Sequence, residues 1–232
     1  MKDNTKVKDV GENVLEPEVL ECYGHAWNQM WPYFGELFLI LLISSAIYFA
    51  GRIIMLPVSF SNFFIDETNL ILIPIIAFCL LLYIAFMALL YEPVQVGIAY
   101  ANLKASRGEK LEIKDMFAFS RNYWNIVLAL ILSGIIVVIG LIFLIVPGII
   151  LACKLAFVPY LVIDKNMQAT DAIKESWDMT DGHAWKIFLM ALLTLPIIVG
   201  GLFCLIFGVI ISMIWINLAF ASFYYAVSLE KE

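Results

Sequence analysis

The sequence predicts an all-α fold: an integral membrane bundle of six transmembrane helices, arranged as three helical hairpins, each preceded by a short cytoplasmic amphipathic helix. Three observations predict it. The 232 residues are 63% hydrophobic and 15% charged, with a mean hydropathy of +0.93, whereas a soluble domain is about half apolar and about a quarter charged. A soluble core of this size has no room for so much apolar surface, so much of it must face lipid. The apolar residues also fall in runs of about one or two times the ~20 residues that cross a ~30 Å hydrocarbon layer. Finally, the basic residues gather in alternate connections between those runs.

Taken in order, residues 1–21 (MKDNTKVKDVGENVLEPEVLE) form a polar, acidic tail, loosely ordered. They do not make a signal peptide, which needs a basic start and an early apolar core. The membrane domain covers 22–229. Its first span is 34–56, with Glu36 near one end and Arg52 near the other, and its second is 70–91, without a charge. The uncharged run 122–153 is too long for one crossing. Pro147-Gly148 divides it, because proline removes a backbone donor and glycine permits a turn. Spans three and four are then 124–146 and 147–163. A second run of double length breaks at Gly200-Gly201 into 185–202 and 205–227.

The basic residues test the count. Lys104, Arg107, Lys110, Lys114 and Arg121 lie between spans two and three, and Lys165, Lys174 and Lys186 between spans four and five. Lys2, Lys6, Lys8 and Lys231 lie in the tails. Six spans put all of these on one side, with only Arg52, beside Asp66 and Glu67, on the other. The positive-inside rule makes the basic side cytoplasmic, with both termini there. The stretch AIKESWDMTDGHAWKIF is then a cytoplasmic connection in which Ala172, Ile173, Ser176, Trp177 and Thr180 recur at helical spacing. Thr170 and Asp171 suit a helix start and Gly182 its end. A short amphipathic helix lying on the membrane follows. Trp177 and Trp185 are its headgroup-level anchors, as Trp27 and Trp124 are elsewhere.

HAWNQMWPYFGELFLILL before span one, MFAFSRNYWNIVLALIL before span three and ESWDMTDGHAWKIFLMALL before span five share one order: aromatic, polar residues, second aromatic, span. Either every span entering from the cytoplasm needs an aromatic anchor, or the chain is three diverged units, each an interfacial helix and a hairpin. The combination VPGIILACKLAFVPYLVID and ATDAIKESWDMTDGHAWKIF resembles a family of bacterial multi-pass proteins of unknown function, a resemblance that implies a bacterial cytoplasmic membrane as the setting. It also looks like the membrane domain attached to some glycerophosphoryl diester phosphodiesterases. Pro147, Gly148, Pro159, Asp164, Ala172, Ser176, Trp177, Gly182 and Trp185 carry the resemblance, over about the C-terminal 90 residues. It implies a fold and no activity, since the catalytic phosphodiesterase domain has no counterpart in the sequence.

Chemistry is sparse. Cys22, Cys79, Cys153 and Cys204 occupy separate segments without a CxxC, which argues against a disulfide framework or a zinc site. His25 and His183 sit at predicted interfaces as headgroup-level polar residues. There is no HExxH, no GxSxG and no phosphate loop, and Ser44-Ser45 suits helix packing. No catalytic, cofactor-binding or metal-binding residues are assigned, no cofactor is expected, and no basic patch suggests nucleic acid. Prolines Pro74, Pro147, Pro159 and Pro196 are a weak pointer to broken helices. Lys154 is the candidate intramembrane polar site, placed by spacing near mid-membrane, where a charge costs about 2.5–3.5 kcal/mol. Its candidate partners are Glu36 and Glu92. It can instead line a cavity for an anionic headgroup or solute, or snorkel.

Two functions follow. One is a non-enzymatic membrane protein that organises membrane lipids or a partner membrane protein. The alternative is a small secondary transporter with an anionic-ligand site near Lys154. The sequence assigns no oligomeric state.

Overall fold

A computed structural model describes residues 15–61 and 72–231. Residues 1–14 of the tail, and the start of span two with Asp66 and Glu67, lie outside the described residues. Among the described residues, six helices are long and apolar enough to cross a membrane: Phe34–Ile54, Ile73–Ser106, Ile113–Phe143, Ile145–Asp164, Ala184–Phe203 and Phe207–Lys231. They alternate in direction. One end of the bundle therefore collects Lys104, Arg107, Arg121, Lys165 and Lys186, and is called the basic end below. The other is the far end.

Helix α1 (Val19–Met30) precedes α2 (Phe34–Ile54) across a three-residue turn, and α3 (Leu56–Ser61) follows. The tail's last residues are held: Lys186 Nζ lies 3.0 Å from the Pro17 carbonyl and 3.0 Å from Glu18. The helix of span two does not stop at residue 91, where the uncharged run ends. Helix α4 (Leu72–Phe86) passes through a π-helical turn, Met87–Tyr91, into α5 (Glu92–Ser106). Pro93 has no N–H to bond four residues back, so an α-helix would strand the Leu89 carbonyl. The wider π turn absorbs the fault, and Tyr123 Oη donates to that carbonyl.

A 3-10 helix, Ile113–Asn122, leads directly into α6 (Tyr123–Phe143). Its start is closed by Glu112 and Asp115, each of whose side chains takes the other's backbone N–H. The hairpin after α6 turns at Leu144, three residues before Pro147-Gly148, and α7 is Ile145–Lys154. Gly148 is needed for approach instead: a Cβ there would come within 2.8 Å of the Leu141 backbone nitrogen. The last hairpin turns at Cys204, between α10 (Ala184–Phe203) and α11 (Leu205–Lys231). Gly201 likewise faces Gly208, whose carbonyl oxygen a Cβ would meet at 2.8 Å. Glycines that looked like turns are where small residues let helices touch.

Span four is two helices, because Pro159 prevents an unbroken one. α7 ends at Lys154, residues 155–157 turn, and α8 (Val158–Asp164) carries on. Helix α9 (Ala169–Met179) then runs back along α8. Asn125 of α6 fixes its start, accepting the Ala169 N–H at 2.9 Å and donating to the Met167 carbonyl at 2.7 Å. The turn after α9 holds Gly182 at φ 80°.

The core is unevenly distributed. Met30, Leu103, Met116, Leu161, Met179, Phe223 and Tyr224 are buried at the basic end, where α1, α5, the 3-10 helix, α8, α9 and the end of α11 meet. Toward the far end, Ile142, Phe143, Phe203 and Phe207 are each more than three-quarters exposed. Such an array suits lipid and not water.

Candidate functional site

Lys154 was expected near mid-membrane with Glu36 or Glu92. The structure brings it to neither. Because α9 doubles back along α8, the turn after α9 lies beside Lys154, and its ammonium is 2.8 Å from Asp181 Oδ1. The Trp177 ring centroid is 5.4 Å from the same ammonium. The lysine side chain is 12% exposed and the aspartate 82%, so one partner is sheltered and the other wet. The Lys154 hydrogen bond holds the Asp181 carboxyl below its ordinary value of 3.8, and the lysine's charge adds to this.

The same corner shows what the quoted SWDMT segment does. Where α7 breaks, the Lys154 carbonyl loses its helical partner. Ser176 Oγ donates to it at 2.8 Å and Thr180 Oγ1 lies 3.2 Å away. Ser176 also accepts the Phe157 N–H at 3.3 Å. Ser176 and Thr180 are fully buried, and leaving those backbone groups bare costs about 1–3 kcal/mol each. α9 therefore turns the small and hydroxyl residues Ala169, Ala172 and Ser176, together with Met179, to protein. Ile173 is only half-buried and Trp177 stays 43% exposed.

Glu36 lies half-buried in the first turn of α2. Glu92 is exposed where α5 leaves the π turn. The aromatic anchors differ. Trp27 packs edge-on to Trp31 and Trp215 at 5.4 and 5.0 Å, Trp124 is 76% exposed beside Tyr123, and Trp185 stacks on Phe188 at 5.2 Å.

A cleft of about 290 Å³ opens between α2, the π turn with α5, and α11. Leu37, Ile40, Ile98 and Ile214 give it apolar walls; Ser44, Tyr91, Gln95, Asn102 and Asn217 give it polar groups. The groups are oriented. Gln95 Nε2 donates to Ser44 Oγ at 3.0 Å, and Asn102 and Asn217 each donate to a carbonyl four residues back at 2.9 Å. Each amide keeps an oxygen that accepts. Among the described residues, no carboxylate, histidine or lysine lines the cleft. Sequence reasoning missed it, although Gln95 and Asn102, seven residues apart on one helical face, were a usable signal.

At the basic end Arg107 grips both oxygens of Asp164, at 2.7 and 2.6 Å. Tyr224 Oη lies 3.3 Å from the second oxygen. Burial pulls the Arg107 guanidinium down, but the Asp164 hydrogen bonds and charge outweigh it and hold the group above its ordinary value.

Six described helices long and apolar enough to cross a bilayer mark a polytopic helical membrane protein. Residues 114–229, from the 3-10 helix through α11, match a domain of unknown function, DUF7847, and the chain belongs to that family. No likeness to a glycerophosphoryl diester phosphodiesterase accompanies the match. No curated protein and no solved structure matches the chain.

Proposed function

We propose that this is a non-enzymatic integral membrane protein that organises lipid, holding one uncharged lipid in the cleft between α2, α5 and α11. The observation that carries the reading is the lining of that cleft. Apolar walls suit acyl chains, and the spare oxygens of Gln95, Asn102 and Asn217 suit a head bearing hydroxyl donors. Its Ser44 hydroxyl faces an amide with no base behind it, which supports binding over nucleophilic chemistry. A carrier with an anionic site at Lys154 has less support, because Asp181 already neutralises that ammonium. The basic residues favour cytoplasmic placement of the basic end and both termini in a bacterial cytoplasmic membrane. The similar order of α1–turn–α2 and α9–turn–α10 favours diverged internal units, although a 3-10 helix stands before α6.

The test is lipid analysis by mass spectrometry of protein purified in mild detergent. The Ser44→Leu, Gln95→Leu double variant fills the cleft with apolar side chains. A neutral lipid should copurify with the unchanged protein and be lost from the variant at similar thermal stability. An identical lipid complement in both would overturn the reading.

A further inference from the structure

A second recess lies at the basic end, away from the cleft, and none of the readings above uses it. It has a volume of about 330 Å³ and is walled by Tyr100 of α5, Arg121 and Asn122 at the junction of the 3-10 helix and α6, Asp164 at the end of α8 and Asn166 just after it. Ala118, Ile126, Val162 and Ile163 add apolar lining. We propose that this recess binds a phosphate group.

Charge is the first argument. Lys104, Arg107, Lys154 and Lys186 each have a carboxylate within 3.0 Å. Arg121 takes part in no ion pair among the described residues, and it is exposed at the rim. The one acid in the lining, Asp164, is already neutralised by the two-pronged Arg107 contact, with Tyr224 against its second oxygen. The recess therefore presents one uncompensated guanidinium, the planar fork that matches phosphate oxygens best.

Donor geometry is the second argument. Asn122 Nδ2 donates to Asn166 Oδ1 at 3.0 Å, which uses the Asn166 oxygen and leaves its amide N–H groups to donate elsewhere. Asn166 sits at φ 51°, a left-handed conformation that asparagine tolerates better than most residues. Held in that way between α8 and α9, it keeps its side chain on the rim beside Arg121. Depth is the third argument. Trp124, two residues past Asn122 and largely exposed, marks the level at which an indole ring meets headgroups. The phosphate can thus belong to a lipid headgroup or to a free phosphorylated solute, and the two sources share one chemistry.

The experiment uses full-length protein in an uncharged maltoside detergent. One arm titrates inorganic phosphate by calorimetry; the other adds phosphatidic acid and counts bound lipids by native mass spectrometry. Binding should weaken about tenfold or more in Arg121→Gln, the loss expected for one charged hydrogen-bonded contact. Asn166→Gly, which keeps the φ and removes the amide, should also weaken it, and stands in should Arg121→Gln misfold. Arg52→Gln, at the far end, should bind as the unchanged protein does. A response to phosphatidic acid alone assigns a lipid headgroup; a response to both assigns the phosphate itself. Absence of both responses, undiminished binding in Arg121→Gln, or an equal loss in Arg52→Gln would overturn the proposal. The cleft experiment is indifferent to all of these outcomes, because it reads a neutral lipid lost on substitution of other residues.

Discussion

Replacing Gly97 with alanine tests how the head is held together. A Cβ built on Gly97 would lie 1.7 Å from the Met116 carbonyl oxygen, 2.7 Å from its carbonyl carbon and 3.1 Å from Phe119 Cδ1. Even the closest carbon–oxygen contacts sit at ~3.3–3.6 Å, so α5 and the 3-10 helix must separate by roughly 1.5–2 Å. The obstacle is backbone and cannot rotate away. The 3-10 helix is also anchored, since Lys104 of α5 grips Asp115 at 2.8 Å and the Glu112–Asp115 box closes its start. Inserting a carbon into a packed site costs about 1–3 kcal/mol, and a rigid obstacle points to the upper end. Alanine returns about 1 kcal/mol of helix propensity. The net loss is about 2 kcal/mol, or roughly 4–8 °C in Tm for a chain of this size. Gly134 of α6 is the control, because a Cβ there meets nothing within 4 Å; Gly134→Ala should leave Tm unchanged or raise it. Thermal unfolding of both variants in one detergent decides the matter. A Gly97→Ala protein melting at or above the parent would refute the close approach and the packing built on it.

Four further outcomes follow from the polar contacts and the exposure of the cysteines. Ser176→Ala strands the Phe157 N–H and leaves the Lys154 carbonyl with only the longer Thr180 contact, and should lower Tm more than Asp181→Asn, which removes only an exposed partner; the opposite order would make the Lys154 ion pair the principal tie. The Asp181 value is depressed in the fold, so its contribution is present above 3.8 and disappears as pH falls through the lower folded value. The Tm gap between parent and Asp181→Asn should therefore stay constant from about pH 8 to about pH 5. Tyr123→Phe frees the Leu89 carbonyl and should cost about 0.6–2 kcal/mol; adding Pro93→Ala restores a backbone donor and should recover most of the loss, and no recovery would mean Tyr123 acts by packing. Cys22 is buried, and burial pushes its thiol up to about 12, while Cys204 is exposed at the far end. A membrane-impermeant maleimide on intact cells should label Cys204 and spare Cys22 until denaturation, whereas a silent Cys204 would argue against a cytoplasmic basic end.

The fold was legible where the signal was bulk hydropathy. Six spans and their alternation come from apolar run length and the placement of lysines, both set by the bilayer. Helix ends were less legible because glycine and proline have more than one use. Gly148 and Gly201 look like turns in sequence, yet their structural role is to let α7 meet α6 and α11 meet α10. Glu92-Pro93 looks like a terminus, yet a π turn and Tyr123 carry the helix through it. The site was the least legible part. Lys154 was conspicuous because its charge is costly in lipid. Its partner was hidden because Asp181 lies in a connection whose course depends on α9 doubling back, and no spacing rule encodes that reversal. The cleft amides were hidden for the opposite reason, since neutral residues within apolar helices raise no alarm in hydropathy.

The division of the core follows from the two solvents the chain meets. In the proposed orientation the basic end stands in water, where burying Met116, Leu161, Phe223 and Tyr224 is driven by the hydrophobic effect. A head of short helices, closed by ion pairs and by Asn125, Ser176 and Thr180, can form there. Nearer the far end the alternative to contact is lipid, which is as apolar as leucine, and no such force draws helices together. What remains is close approach and hydrogen bonding, and the described contacts there are of that kind: Gly140 against Gly148, Gly201 against Gly208, Ser212 Oγ to the Ile197 carbonyl at 3.1 Å. A bundle tied firmly at one end and by small residues at the other leaves room between its helices at intermediate depth. That is where α2, α5 and α11 enclose the cleft, and a lipid held there would fill space that side chains in water would have closed.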